Sequence, residues 1–595
     1  MDTNAPFIPA MVTMSGVQKS GETQTITSFF YPPQSSRGTP ECTLELYTLP
    51  SDAAHEIMPT RPLVTSRGKN ENLEVAKGWL EECQAHHTFC RRNEDAQPDL
   101  PTRLIEIAED GTARLVEKSG QVGQYVALSY CWGQHPEENR STTIHNVQAR
   151  LQEGGLPRDD LPAAIRDAVT VTEKLGIKYI WVDAFCIIQD DLSDKHGELS
   201  KMSQYYRNSY LTIAASTPRC TVGFIGTIGR CEKHPKNQLP RDLVPLDVFC
   251  ISQDKDEGRS GKVYVREENP YQLSMEPLNR RAWTLQENLL SPRVLFFGSR
   301  VMWFCRHMTH SDGGIEDWSF EENELERTRR EFQIELSKLD KGSFDNESRS
   351  ADRDRDIYDL WQRIVGTYSQ RAMTHPEDKL PAISAVAAEF SKLSKDEYLA
   401  GLWRSNLARD LLWTTPDPVT HRPKTWRAPT WSWASVDDTI LYDRPPPKDA
   451  IQLATIEEVS ATPKTTTVPF GEVETGNLMI TAPCFFQNLA DDENRDKASR
   501  PWLGGFGFKG GSNEREMLLE SLKKHARMEH KKGDKEEEFR LPDEITVAVL
   551  YGQRDELHRV EDSQEEAKEW KIWGLVLKRA TGTTEGEEPG SKRLK

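Results

Sequence analysis

In LPAAIRDAVTVTEKLGIKYIWVDAFCIIQDD, residues 161–191, a helical period gives way to a buried strand, and that succession decides the fold class. Asp159, Asp160 and Pro162 open a helix, Leu161, Ile165, Ala168, Val169 and Leu175 recur on one face at a 3.6 spacing, and Gly176 closes it. YIWVD (179–183) comes next as an unbroken apolar run ending in a carboxylate. A strand covered on both faces needs such a run, and in a parallel sheet its C-terminal end opens on the site. Upstream, YVALSY (125–130) predicts another buried strand, succeeded by the turn-prone Cys131-Trp132-Gly133. Downstream, a helix carrying Leu199, Met202 and Tyr206 leads into the strand YLTIAA (210–215). Strand, helix, strand, helix, strand predicts an α/β unit with a mostly parallel sheet flanked by helices.

The pattern continues to residue 310. A helix over residues 277–290 shows a stripe of Leu278, Ala282, Leu285 and Leu289, with Trp283 and Glu287 on a neighbouring face. Four residues apart, this indole and this carboxylate stack on adjacent turns and are placed to line one pocket. RVLFF (293–297) and VMWFC (301–305) predict two more strands around Gly298-Ser299-Arg300.

Around this unit, 71–310, residues 1–70 lack any sustained period and are expected to be largely disordered. Residues 311–355 include ADRDRD and predict a solvated helix with a charged linker. Residues 356–595 predict an α+β lobe. Its helices are marked by Ile357, Leu360, Trp361 and Tyr368 and by Ile383, Val386 and Phe390, and its strands by WSWASV, LMITAPCFF, ITVAVLYG and WGLVLK. A charged insertion (491–540) and the tail (581–595) are expected to be disordered.

With Lys+Arg 76 against Asp+Glu 94, the net charge is −18. That balance excludes a protein whose main work is neutralising nucleic-acid phosphates or lying on an anionic membrane. The N-terminus has no basic segment leading into an apolar one, and no apolar stretch approaches the ~20 residues of a membrane span. The 10 cysteines are scattered, as in a reducing compartment, so a soluble cytoplasmic protein is expected.

The motifs that carry chemistry are few. Gly505-Phe506-Gly507-Phe508-Lys509-Gly510 has the letters of a dinucleotide fingerprint but no strand before it, and no P-loop is present. Cys83, His86, His87 and Cys90 have metal-ligating chemistry, yet they continue the helical stretch ENLEVAKGWLEEC and no second ligand pair comes after them, so helix packing is preferred and no metal is assigned. Cys131, Cys186 and Cys305 adjoin apolar runs and are expected to be buried packing. Asp183, Gln189, Asp190 and Glu287 interrupt or end core runs, which suits either a site at one sheet edge or capping and ion pairing within the fold.

Three blocks in order, YVALSYCWG (125–133), residues 161–191 with KMSQYYRNSYLTIAA (201–215), and RRAWTLQENLLSPRVLFF (280–297), resemble the fungal heterokaryon-incompatibility (HET) domain. The flanks WLEECQAHHTFC, LPTRLIEI, YLAGLW and APTWSWASV resemble the usual surroundings of that domain in large fungal proteins. The resemblance implies an effector of allorecognition that triggers growth arrest or death when incompatible cells fuse. More distantly, the domain is similar to Toll/interleukin-receptor (TIR) domains, whose first strand ends in Ser-Tyr, as Ser129-Tyr130 does. This likeness implies a TIR-like, flavodoxin-like fold, and cleavage of NAD by a glutamate four residues after a tryptophan, here Glu287 after Trp283. Ser129, Trp132, Asp183, Gln189, Asp190 and Trp283 then become the substrate-binding residues, with NAD as substrate and no cofactor. A non-catalytic adaptor that signals by self-association or partner binding stays open beside the enzyme.

Overall fold

The computed structural model describes chiefly residues 43–49, 70–90, 97–227, 273–311, 324–341, 351–416, 421–442, 450–466 and 468–482, with shorter segments elsewhere. Residues 505–510, the insertion 491–540, the tail 581–595 and most of residues 1–70 lie outside the described residues. The chain forms two compact units, residues 1–280 with 287–337, and residues 281–286 with 338–595.

The first unit is built on an eight-stranded sheet: β1 (Arg103–Ile107), β2 (Ala113–Glu117), β3 (Val126–Tyr130), β4 (Tyr179–Trp181), β5 (Leu211–Ala215), β6 (Arg293–Phe297), β7 (Val301–Cys305) and β8 (Thr309–Ser311). Its order is β8-β7-β6-β5-β3-β4-β1-β2. Parallel pairing is confined to the central β6, β5, β3 and β4, with Val126 opposite both Ile180 and Leu211 and Ala127 opposite Thr212. The outer pairs β1/β4, β1/β2, β6/β7 and β7/β8 are antiparallel. The sheet is therefore mixed rather than mostly parallel. The expectation failed at the edges because antiparallel strands joined by short turns carry the same apolar runs as parallel ones.

Every residue of β3, β5 and β6 is buried, as covering both faces requires. Helices α1 (Asn70–His86), α2 (Ala163–Lys174), α3 (Leu192–Asn208), α4 (Trp283–Leu290) and α5 (Glu324–Asp340) complete this part of the chain. The stripe predicted for α2 is buried at Ile165, Ala168 and Val169. Trp181 packs on Tyr205 and Tyr206 of α3, ring centroids 5.4 and 5.5 Å away. The helix predicted over 277–290 starts only at Trp283, after a 3-10 turn at Leu278–Arg280. Within the expected linker 311–355, α5 buries Leu325, Arg329, Phe332 and Leu336, so its charged sequence hides a packed face. Arg329 spends its guanidinium on the carbonyls of Asn288, Ser291 and Cys305.

In the second unit, α6 (Ala351–Ser369) and α7 (Ser384–Ser394) surround an aromatic core of Trp361, Phe390, Trp403 and Trp433. The indoles of Trp361 and Trp433 both donate to the Gly401 carbonyl at 2.9 Å. Gly401 sits at φ +100, and a Cβ there would come 2.7 Å from the Trp433 Nε1, so only glycine fits. WSWASV is not a strand: Trp433–Ser435 forms a 3-10 turn opened by the Ser432 hydroxyl, which accepts from the Ala434 N–H. Small antiparallel sheets come after it, among them Thr455–Pro463 with Val473–Thr481, and Glu544–Arg554 between Cys484–Asn488 and Trp570–Leu577. Among the described residues no helix is long and apolar enough to cross a membrane.

Candidate functional site

The parallel strands β3 and β4 end side by side, so the segments leaving their C-terminal ends are brought together. After β3 come Cys131, Trp132 and Gly133. The glycine is at φ +95, with the Cβ of Arg219 only 2.8 Å from where its own would stand. After β4, Asp183 opens the one-turn helix Asp183–Cys186. The Trp132 indole donates to Asp183 Oδ2 at 2.8 Å, while Oδ1 accepts the Ala184 N–H at 2.7 Å. Two predicted site residues thus meet directly, half-buried.

Glu287, on α4, is 7% exposed. It joins Asp183 around the Tyr206 phenol of α3, which donates to the Leu128 carbonyl of β3 at 3.0 Å. Burial first, then the negative charges of Glu287 and Asp183, push that phenol well above its ordinary range. Tyr130 contributes to the same cluster and donates to Asn139 Oδ1 at 2.9 Å. At the C-terminal ends of β3 and β4 the first unit therefore gathers two carboxylates, two phenols and an indole. That set can accept from hydroxyls, donate to an oxyanion and oppose a positive charge.

The other predicted residues have different surroundings. Ser129 is buried within β3, in register with Ala214. Gln189 spends its amide on the carbonyls of Asp183 (3.1 Å) and Ile187 (3.4 Å), and its N–H on Thr142. Asp190 accepts the Ile144 N–H at 2.8 Å. Both stitch residues 142–144 to the loop after β4. Trp283 donates its indole N–H to Asp378 at 3.0 Å, within the second unit. Sequence reasoning missed Tyr206, counted only as part of an apolar stripe. It also missed Asn139, Thr142 and Arg150, which serve the loop around the strand ends. Arg150 lies over the Phe185 ring at 4.5 Å and donates to the Thr142 hydroxyl, and burial pushes it down to about 10. Their signal was faint, because polar residues in single turns and loops have no periodicity to betray them.

Elsewhere, a cleft in the second unit is lined by Leu380, Trp426, Arg427, Lys464 and Glu472. Its one lysine is paired with Glu472, so it offers no comparable cluster.

No curated protein and no solved structure matches the chain. A family model does, that of the heterokaryon incompatibility protein (HET), over residues 125–287, which spans β3, β4, β5 and the part of α4 up to Glu287. Residues 125–287 of this chain are a HET domain, with Glu287 as the last residue matched.

Proposed function

We propose that the chain is an effector of fungal heterokaryon incompatibility, acting in the cytoplasm to arrest or kill incompatible fused cells by TIR-like cleavage of NAD or a related nucleotide. One observation carries the chemistry: the Tyr206 phenol, bonded to the Leu128 carbonyl of the central strand, lies within the electrostatic reach of both Glu287 and Asp183. The order β4-β3-β5-β6 supports a TIR-like, flavodoxin-like reading, since the second strand lies on one side of the first and the third on the other, the arrangement that opens a crevice at the strand ends.

In this mechanism Glu287 opposes the positive charge that develops as the N-glycosidic C–N bond breaks. The bonding pair leaves on the nicotinamide nitrogen and neutralises it, and water forms the new C–O bond and releases a proton. Asp183, steered by the Trp132 indole, accepts from ribose hydroxyls, with Ser129 in the strand beneath, while Gln189 and Asp190 hold the loop.

A second reading rests on another observation. Glu287 is nearly enclosed, and the indole N–H groups of Trp132 and Trp283 are already held by Asp183 and Asp378. A set so fully paired would serve an adaptor that signals by self-association or through another signalling protein. Glu287→Gln keeps the shape and removes the charge, so the test is toxicity in a fungal cell-death assay together with cellular NAD. The enzyme reading expects both effects to disappear in a folded, equally expressed variant, by about 10²–10³-fold in rate. Undiminished toxicity selects the adaptor.

A further inference from the structure

Far along the chain from one another, two segments bring four metal-ligating side chains into one buried cluster. The N–H of His87 bonds back to the Cys83 carbonyl at the end of α1, which puts Cys83 and His87 on one face, and the turn closed by Cys90 N–H on the His87 carbonyl returns Cys90 to it. Cys305, the last residue of β7, supplies the fourth group. All four residues are buried, and their ligand atoms lie within 4.8 Å of one another. His86, the neighbouring candidate, faces solvent.

We propose that Cys83, His87 through Nδ1, Cys90 and Cys305 bind a structural zinc ion that clamps α1 to the edge region of the sheet. Three thiols and one imidazole are a closed structural zinc set. Zinc–sulfur and zinc–nitrogen bonds of about 2.3 and 2.0 Å at tetrahedral angles place sulfur and nitrogen about 3.5 Å apart. The Cys305 sulfur and His87 Nδ1 are separated by 3.5 Å.

The surroundings match that ligand set. Three thiolates and one zinc ion leave a charge of −1, and the buried Arg293 guanidinium donates from Nε to the Cys83 sulfur at 3.3 Å. Its Nη2 and Nη1 donate to the carbonyls of Cys90 (2.7 Å) and Tyr210 (3.2 Å), and among the described residues no carboxylate pairs with it. Beyond Cys305 the chain turns so that the Met308 N–H donates to the Cys305 sulfur at 3.4 Å, which stabilises a thiolate. On binding, zinc–sulfur bonds replace three S–H bonds and three protons pass to solvent, so affinity falls as pH falls.

The full chain, purified under reducing conditions without chelator, should carry one zinc per molecule by mass spectrometry of metals. Cys305→Ser and Cys83→Ser should lose it to background, while His86→Ala keeps it. Arg293→Met should weaken affinity about 10–100-fold. If the cysteine variants fail to fold, wild-type protein stripped of metal and titrated with cobalt(II) decides. Thiolate-to-cobalt and tetrahedral absorption bands saturating at one equivalent support the site. Reduced wild-type protein that binds neither zinc nor cobalt overturns it, as does an intact mass showing a disulfide among these cysteines, or iron in place of zinc.

Discussion

Trp181 shows how much one side chain can carry here. It is fully buried against Tyr205 and Tyr206, and Tyr206 in turn faces Glu287 and Asp183. Replacing Trp181 with Ala should cost about 3–5 kcal/mol, read as a lower denaturation midpoint, and unchanged unfolding would contradict the core assignment. The apolar run YIWVD was enough to place Trp181 inside. It could not show that a tyrosine near the end of α3 returns to the same strand end. That depends on the helix's length and crossing direction, which residue types leave open. For the same reason the spacing of Trp283 and Glu287 said only that they stand on adjacent turns of one helix. Four-residue spacing gives neighbouring turns, but which carboxylate an indole reaches is settled by packing, and here it is Asp378.

Among the elements, α3 has a start closed by its own side-chain cap. Asp191 accepts the N–H groups of Ser193 (2.9 Å) and Asp194 (3.1 Å), covering two donors that the first turn leaves unpaired. Asp191→Ala should destabilise by about 0.5–2 kcal/mol in urea unfolding. A larger loss would mean that the loop holding Gln189 and Asp190 melts with the cap. Asp194, in the same turn, pairs with the buried Arg103 of β1, so α3 is tied to the sheet by charge as well as by its apolar face. The start of α4 was misplaced because Leu278 and Ala282 belong to the same apolar stripe whether the backbone is helical or in a 3-10 turn. α5 was misjudged for the opposite reason: its charge is real, yet Arg329 is buried because it serves three carbonyls at once.

At the scale of the whole molecule, two buried acids, Asp410 and Glu326, tie stability to pH. Asp410 in the second unit is fully buried, and burial pushes it up to about 7 from 3.8 despite hydrogen bonds from Gln362, Asn406 and the Trp403 N–H. Its contribution to stability is fully present below pH 3.8 and is lost as pH rises to about 7, because there the unfolded chain has released a proton that the folded one still holds. Glu326 in the first unit, also pushed up to about 7 by burial, acts in the same direction. Asp410→Asn should therefore unfold with a shallower loss of stability between about pH 5 and 7, measured by urea denaturation, and an unchanged slope would refute the assignment. By itself the sequence determined the alternation of buried strands and amphipathic helices and the acidic charge balance, because these depend on local period and composition, and it carried the HET segment through the ordered blocks that resemble that family. Tertiary structure alone decided that the outer strands run antiparallel, that Tyr206 joins Glu287 and Asp183, and that Cys305 completes the set begun by Cys83, His87 and Cys90. Each of these is a meeting of residues distant along the chain, and residue spacing carries no information about such meetings until the sheet order is fixed.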